Sequence, residues 1–300
     1  MKRSHFYSFI LISRIIFCQD TFSIVAVDPT TGEVGSAGAS CIAGSIIISD
    51  IHPGIGAIHT QAQWNQTNQD NASEFMDVGI HPQEIINWLI DNDAQNNSTI
   101  RQYGIVDLED GGQSAAYTGV NCYDYKDHIL GQTYAIQGNI LLGQEILDDM
   151  EYAFINTYGS LDEKLIATLM AANVPGADIR CLNYGTPALS AFIRVAKPEN
   201  DVNDLFLHLN VNSVPTSISP IDSLYTDYWD WKSSQYTPGD INYDHAIDVI
   251  DIHLLSQFIN GDEIPTGFEM TPADINNNGS VEITDLYLLL YAIIGIVGNN

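Results

Sequence analysis

Residues 21–27 read Thr-Phe-Ser-Ile-Val-Ala-Val, a β-branched alternating run, and the following Asp28-Pro29-Thr30-Thr31-Gly32 is turn chemistry. The pattern predicts a strand, a turn and a returning strand over 34–40. Small residues crowd that second strand (Gly35, Ser36, Ala37, Gly38, Ala39), which leaves room for another backbone or a ligand to approach closely. Further strands are predicted at 46–48, 55–60, 103–107, 115–118, 189–195 and 205–211. Helical periodicity predicts a helix over 82–90, with Ile85, Ile86, Leu89 and Ile90 on one stripe, and two more over 141–158 and 161–172. Strand clusters interleaved with helices indicate an α+β layered domain. From 197 to 238 Asn, Ser, Pro and Asp recur around an aromatic group, Tyr225, Tyr228, Trp229 and Trp231. This stretch is predicted as a capping tail of the first domain, then a short linker.

Beyond residue 238 the pattern changes to two short apolar helices, predicted at 252–259 and 286–297, each entered from an acid-rich loop. A hard cation needs six or more oxygens at fixed spacing, and a twelve-residue calcium loop supplies them from positions 1, 3, 5, 7, 9 and 12. Both loops meet this requirement. The first offers Asp240, Asn242, Asp244, Ala246 through its carbonyl, Asp248 and Asp251; the second offers Asp274, Asn276, Asn278, Ser280 through its carbonyl, Glu282 and Asp285. Gly279 makes the sharp turn at position 6 of the second loop, whereas the first has His245 there and is expected to bind more weakly.

Charge reinforces the expectation of a cation partner. Ten basic against 38 acidic residues in 300 give a formal net charge of -28, which excludes nucleic acid and anionic membrane surfaces as natural partners. No Lys or Arg follows Lys232. At the other end, Lys2 and Arg3 precede an apolar stretch over 6–17, then Cys18 and a polar break at Gln19-Asp20. This reads as an export signal over 1–20, too short for a membrane anchor, so a secreted or cell-surface protein without a membrane span is expected. Its removal leaves Cys41, Cys122 and Cys181, hence at most one disulfide and one free thiol.

The duplicated loop-helix unit, with first ligands at 240 and 274 and Asp rather than Glu at position 12, resembles a type I dockerin. The resemblance implies a small all-α module over 237–300 with two EF-hand-like Ca2+ loops, docking onto a cohesin domain of a scaffold protein. Loop positions 10 and 11 help to choose the partner in that family, and here they are Val249-Ile250 and Ile283-Thr284.

The region 21–236 carries a second resemblance. Residues 21–26 followed by Asp28, Gly32-Glu33 and Gly35, then Thr60-Gln61-Ala62, Arg101-Gln102-Tyr103-Gly104 leading to Asp107, Tyr117-Thr118-Gly119, Gln137-Gly138-Asn139-Ile140-Leu141, and 176–180 are similar in order and spacing to the domain-of-unknown-function 1028 family of the N-terminal nucleophile hydrolases. It implies a four-layer αββα sandwich. It also implies chemistry at the first residue of the mature chain, whose hydroxyl is a weak nucleophile and whose own α-amine, with a reference pKa of about 8, accepts the proton. Thr21 stands at that place, provided cleavage falls directly before it. A tetrahedral intermediate needs oxyanion donors, for which Asn139 is the first candidate. Asp178 and Arg180 form either a charge pair that orients the amine or grips a substrate carboxylate, or a structural ion pair. Gln61 and Asn65 are further candidates, and His52, His59, His81 and His128 show neither metal spacing nor an evident triad.

Two readings of function compete. One is an exported amidase-type hydrolase of unknown substrate, tethered by its dockerin; the other is a non-catalytic binding or structural sandwich, accessory to polysaccharide breakdown. No paired-carboxylate motif supports glycosidase chemistry.

Overall fold

The predicted alternation is realised as two stacked antiparallel sheets. The structure is a computed structural model and describes residues 18–19, 21–235, 237–244, 246–262 and 270–295; the predicted leader over 1–20, apart from Cys18 and Gln19, lies outside these, as do His245 and residues 296–297 of the last predicted helix. The chain divides into two compact units between Thr226 and Asp227.

In the first unit one sheet contains β1 (Cys18–Gln19), β4 (Ser49–His52), β5 (Gly56–Gln63), β6 (Arg101–Asp107) and β7 (Gln113–Thr118), in the order β1-β5-β6-β7 with β4 also paired to β5. The second contains β2 (Phe22–Asp28), β3 (Glu33–Ser40), β8 (Asp127–Gly131), β9 (Tyr134–Gly138), β10 (Ser190–Ala196) and β11 (Leu207–Val211), ordered β11-β10-β3-β2-β9-β8. On the first sheet, α1 (Gln66–Asp77) and α2 (Pro82–Asp91) bury Ala72, Met76, Ile85, Ile86 and Leu89 against Ile58, Tyr103, Ile105 and Ala115. On the second, α3 (Glu145–Asn156) and α4 (Leu161–Ala171) cover the outer face. Ser160 and Glu163 form the capping box that starts α4. Gly35 is required on this face: a Cβ there would lie 2.5 Å from the Leu165 side chain.

Because side chains alternate across a strand, odd or even positions of each strand meet between the sheets. Five strands show the same gradient along that inner face. Val27 and Val25 give way to Ser23 and Thr21, Val34 to Ser36 and Ser40, Ala57 to His59 and Gln61, Val106 to Gln102, and Ala135 to Gln137 and Asn139. One end of the inter-sheet layer is therefore an apolar core built on Val25, Val27, Val34, Ile51, Ala57 and Val106. The other end is polar and equally buried.

Some expectations fail. Residues 46–48 lie in a 3-10 turn, Ser45–Ile48, because left-handed Gly44 (φ 77°) breaks the backbone just before a run too short to pair. The helix expected from 141 begins at Glu145, since 141–142 hydrogen-bond into loops, with Leu141 N–H donating to Tyr125 O. The stretch read as tail and linker holds α5 (Pro220–Ser234): Pro220 opens it, Ser219 Oγ accepts from Asp222 N–H, and Ile221, Leu224 and Tyr228 form a buried stripe. Besides α5, the elements β1, β4, β8, β9, α1 and α7 had no counterpart among the predicted ones. In α1 only Ala72 and Met76 are buried apolar residues, too few for a visible stripe.

In the second unit, α6 (Val249–Asn260), the short α7 (Met270–Ala273) and α8 (Ile283–Ile293) surround Ile241, Leu255, Phe258, Ala273 and Leu289. Both long helices start about three residues earlier than predicted, since Asp248 and Glu282 act as N-caps in capping boxes closed by Asp251 and Asp285.

Candidate functional site

Strand register brings the candidate residues of the first unit together. Phe22 pairs with Ala39 on β3 and with Gly138 on β9, so Thr21, one residue earlier, faces Ser40 on one side and Asn139 on the other. Asn139 N–H donates to Thr21 O at 3.2 Å, and Gln61 Nε2 donates to the same oxygen at 3.1 Å. Thr21, Gln61 and Asn139 are fully buried.

Beside Ser40, Cys41 N–H donates to Asp178 Oδ2 at 2.9 Å, and Arg180 Nη2 donates to Ser40 Oγ at 3.4 Å. The Asp178 carboxylate also accepts from Arg180 through Nε at 2.9 Å, Nη2 at 2.6 Å and the backbone N–H at 3.1 Å. Four donors occupy its two oxygens. Asp178 thus anchors Arg180 and the end of β3, while the Arg180 side chain is about one-third exposed. The Cys41–Cys181 disulfide, Cα–Cα 5.7 Å, ties the residues that follow Ser40 and Arg180; Cys122 is a buried thiol outside the disulfide and donates to Arg101 O at 3.3 Å.

Behind Thr21 a chain of buried polar groups crosses between the sheets. Ser23 Oγ donates to Gln61 Oε1 at 2.6 Å, and His59 Nδ1 lies 2.9 Å from Ser23 Oγ. His59 Nε2 lies 2.6 Å from Ser36 Oγ, itself 2.7 Å from Ser49 Oγ, to which Arg194 Nη1 donates at 3.2 Å. Complete burial, then Arg194, hold the His59 imidazole down to about 3, so it is neutral. The single proton of Ser23 goes to Gln61, so His59 donates from Nδ1 and accepts at Nε2. Gln61 Nε2 also donates to Gln102 Oε1 at 2.8 Å, and Gln102 Nε2 donates to Gly138 O, Thr118 Oγ1 and Asp127 O.

Ser23, His59, Gln102 and Gln137 were not candidates from sequence. Their signal was nevertheless present: each is a polar residue at a core-facing position of an otherwise alternating strand, two or four residues from an apolar one. Asn65, by contrast, is the N-cap of α1, accepting from Asn68 N–H at 3.1 Å. His52, His81 and His128 lie away from Thr21 in separate polar contacts with Asp77, Asp107 and Thr118. Ala62 and Ile140, immediately after Gln61 and Asn139, have φ of 64° and 55°. Such backbone costs of order 1 kcal/mol or more per residue and is retained where surrounding structure fixes it.

At their described positions the two acid-rich loops of the second unit repeat the same hydrogen bonds. Position 1 accepts from position 5 N–H (Asp240 from Asp244 at 3.1 Å, Asp274 from Asn278 at 2.9 Å), and position 5 accepts from position 7 N–H (Asp244 from Ala246, Asn278 from Ser280). Position 12 accepts from positions 3 and 9 (Asp251 from Asn242 and Asp248, Asp285 from Asn276 and Glu282). Tyr243 and Asn277, both at position 4, are left-handed at φ 58° and 55°. Among the described residues no group of three or more His, Cys, Asp or Glu side chains converges as a metal cluster. What fits calcium is the chemistry of the donor set, all oxygen, at the positions a hard cation uses, on two loops of the same path. Val249, Ile250, Ile283, Tyr287 and Tyr291 are exposed on the helices that follow.

Among the described residues no helix is long and apolar enough to cross a membrane. A family model described as a family of unknown function, DUF1028, matches residues 21–221, and one described as the dockerin type I domain matches 238–293. The crystal structure of a DUF1028 protein from Silicibacter pomeroyi is similar at 25% identity, over 70% of this chain and 88% of that chain, with a TM-score of 0.58. No curated protein matches.

Proposed function

The chain belongs to the DUF1028 family and carries a type I dockerin domain, and we propose that its first domain is an exported N-terminal nucleophile hydrolase of amidase type, acting through Thr21. The dockerin domain binds calcium and gives the chain a cohesin partner, so the domain in front of it is tethered to a cohesin-bearing scaffold. The two sheets with helices outside them are, in this reading, the four-layer αββα sandwich of that superfamily.

One observation carries the catalytic reading. The family match opens on Thr21, and that residue sits at the buried polar end of the inter-sheet layer, its carbonyl held by Gln61 and Asn139. A hydrolase needs a polar, water-poor setting around its nucleophile, whereas a structural sandwich is more stable with an apolar one. With the α-amine freed, Thr21 Oγ attacks an amide carbonyl carbon and its proton passes to the amine. The C–N bond breaks, the amine returns the proton to the leaving nitrogen, and water hydrolyses the resulting ester. The proposed oxyanion donor is the Asn139 side-chain N–H not given to Gln102, and Asp178 holds Arg180 at the rim.

Mass spectrometry of secreted protein is expected to show a chain beginning at Thr21, modified there by a threonine-directed electrophile. Thr21→Ser retains reactivity and Thr21→Val loses it, with little change in folding. A mature chain beginning at Gln19 and never modified would return the domain to the binding class. In the dockerin, both loops are proposed to take Ca2+, through Asp240, Asn242, Asp244, Ala246, Asp248 and Asp251, and through Asp274, Asn276, Asn278, Ser280, Glu282 and Asp285. Calcium titration is expected to resolve two unequal sites, the tighter lost in Asp274→Ala and the weaker in Asp240→Ala; a single site, untouched by either change, refutes this.

A further inference from the structure

Asn139 presents a buried acceptor that nothing described satisfies. Its side chain is fully buried, and its Oδ1 has no hydrogen-bond partner among the described residues. Burying an amide oxygen unpaired costs stability, so its retention asks for a donor.

The neighbouring hydrogen bonds fix which end of the amide is which. Gln102 Nε2 lies 2.8 Å from Gly138 O and 3.0 Å from Asp127 O, two carbonyls that only accept, so the nitrogen must face them. Gln102 Oε1 therefore points the other way, toward Gln61 Nε2 at 2.8 Å and Asn139 Nδ2 at 2.9 Å, and both must donate to it. Gln61 is fixed independently, because the same Nε2 donates to Thr21 O. The Asn139 oxygen is thus the end directed away from Gln102. Residues 21 and 139 are adjacent across the β2–β9 register, and facing residues on paired strands project to the same side of the sheet.

We infer that Asn139 Oδ1 is the acceptor for the α-amino group created when the chain is cut before Thr21, making Asn139 the positioning residue of the general base. Cleavage converts one peptide N–H into an amine with two or three N–H bonds, the donors this oxygen lacks. Gln61 and Asn139 N–H hold the Thr21 carbonyl while Asn139 Oδ1 holds the amine, so the base cannot rotate away from its own hydroxyl. The inference rests on the proposed role of Thr21 and adds a second role to the Asn139 side chain.

Among the described residues, the charged and titratable groups linked to this position include Asp178 and Arg180 across Ser40, His59 through Ser23 and Gln61, and, further off, His128 and Asp127 around Gln102. All remain in place in a variant of Asn139. An acceptor favours the protonated amine, and a charged acceptor favours it more. The full chain beginning at Thr21, released from a cleavable leader, is titrated by competitive acylation of its α-amine across pH. Asn139→Ala is expected to lower the amine pKa by about half a unit or more, and Asn139→Asp to raise it. A wild-type and Asn139→Ala pair agreeing to within about 0.2 units overturns the inference, and Asn139→Ala decides alone where Asn139→Asp does not fold. Electrophile labelling of Thr21 Oγ on the same samples separates the two readings. A shifted amine with an unlabelled hydroxyl sinks the nucleophile and leaves the positioning contact standing; a labelled hydroxyl with an unshifted amine does the reverse.

Discussion

Replacing both Cys41 and Cys181 by serine opens a covalent loop of about 140 residues, from the end of β3 to the 3-10 turn that bears Arg180. In the chain-entropy treatment the denatured state regains the freedom that closure removed, which amounts to about 5 kcal/mol at 25 °C for a loop of this length. Native-state relaxation and residual structure in the unfolded chain reduce such values, so a loss of about 2–5 kcal/mol is expected. That is a large fraction of the stability of an ordinary domain. The assay is urea unfolding of the chain from Thr21, followed by fluorescence, for the oxidised protein, the protein in reductant and the double variant. The latter two should coincide, with the midpoint moved down and the slope changed only through the more expanded unfolded state. Because Cys41 N–H and Arg180 both bind Asp178, the variant should also show faster amide exchange at Ser40 and Cys41 than at the centre of β3. A double variant within about 1 kcal/mol of the oxidised protein would refute the argument that the crosslink secures this corner of the fold.

Arg101 is almost fully buried, its Nε 2.7 Å from Asp93 Oδ2 and its Nη2 2.8 Å from Gln95 Oε1. Burial alone would raise the Asp93 pKa, but Arg101, the N–H groups of Asn97 and Gln95 and the Asn68 amide bring it down to about 2. Arg101→Met leaves that carboxylate uncompensated and is expected to cost about 3–5 kcal/mol in urea unfolding at neutral pH, largely recovered in Asp93→Asn/Arg101→Met; a loss below about 1 kcal/mol contradicts this. His52 joins β4 to α1, with Nδ1 2.6 Å from Asp77 Oδ1 and Nε2 3.1 Å from Ser73 Oγ, which donates to Asp50 at 2.5 Å. Burial pulls its pKa down, but Asp50 and Asp77 outweigh burial and raise it. A raised folded-state pKa stabilises fully below the unfolded value, about 6.5, and the gain fades as pH rises through the folded value. With Asp77 well exposed the effect should stay below about 1 kcal/mol, and the melting-temperature gap between wild type and His52→Gln should narrow from pH 6 to pH 8.5; a gap that widens reverses the assignment.

Much of the scaffold was legible because its rules are local. The β2–β3 hairpin follows from alternation and a Pro-Thr-Thr-Gly turn, α2 from its apolar stripe and Pro82, and α4 from its helical periodicity. The elements that escaped are those whose burial comes from tertiary context. α1 is polar along most of its length and is fixed by Asn65, by the Asn68 amide on Asp93 and by Trp64 Nε1 on Gln69. The helix α5 was hidden because Ser, Pro and Asp suggest a loop when read singly, while its stripe at 221, 224 and 228 is visible only at helical spacing. The calcium loops were the opposite case, since twelve positions of local chain carry nearly the whole specification.

The site itself was half legible. Thr21, Asn139, Asp178 and Arg180 were reached by resemblance, and register then placed them around the end of β2. Ser23, His59, Gln102 and Gln137 were not reached, because sequence shows a polar residue in a strand without showing that both faces of that strand are covered. Once the two sheets are stacked, the same residues become a systematic violation: five strands switch from apolar to polar side chains toward the same end of one buried layer. Local rules broken together at one place point to function more strongly than any one of them does alone. The left-handed backbone at Ala62 and Ile140 belongs to the same pattern, since it falls directly after the residues that bind the Thr21 carbonyl. A purely structural sandwich has no reason to fill that level with amides, a neutral histidine and strained turns, when valine and isoleucine fill the other end.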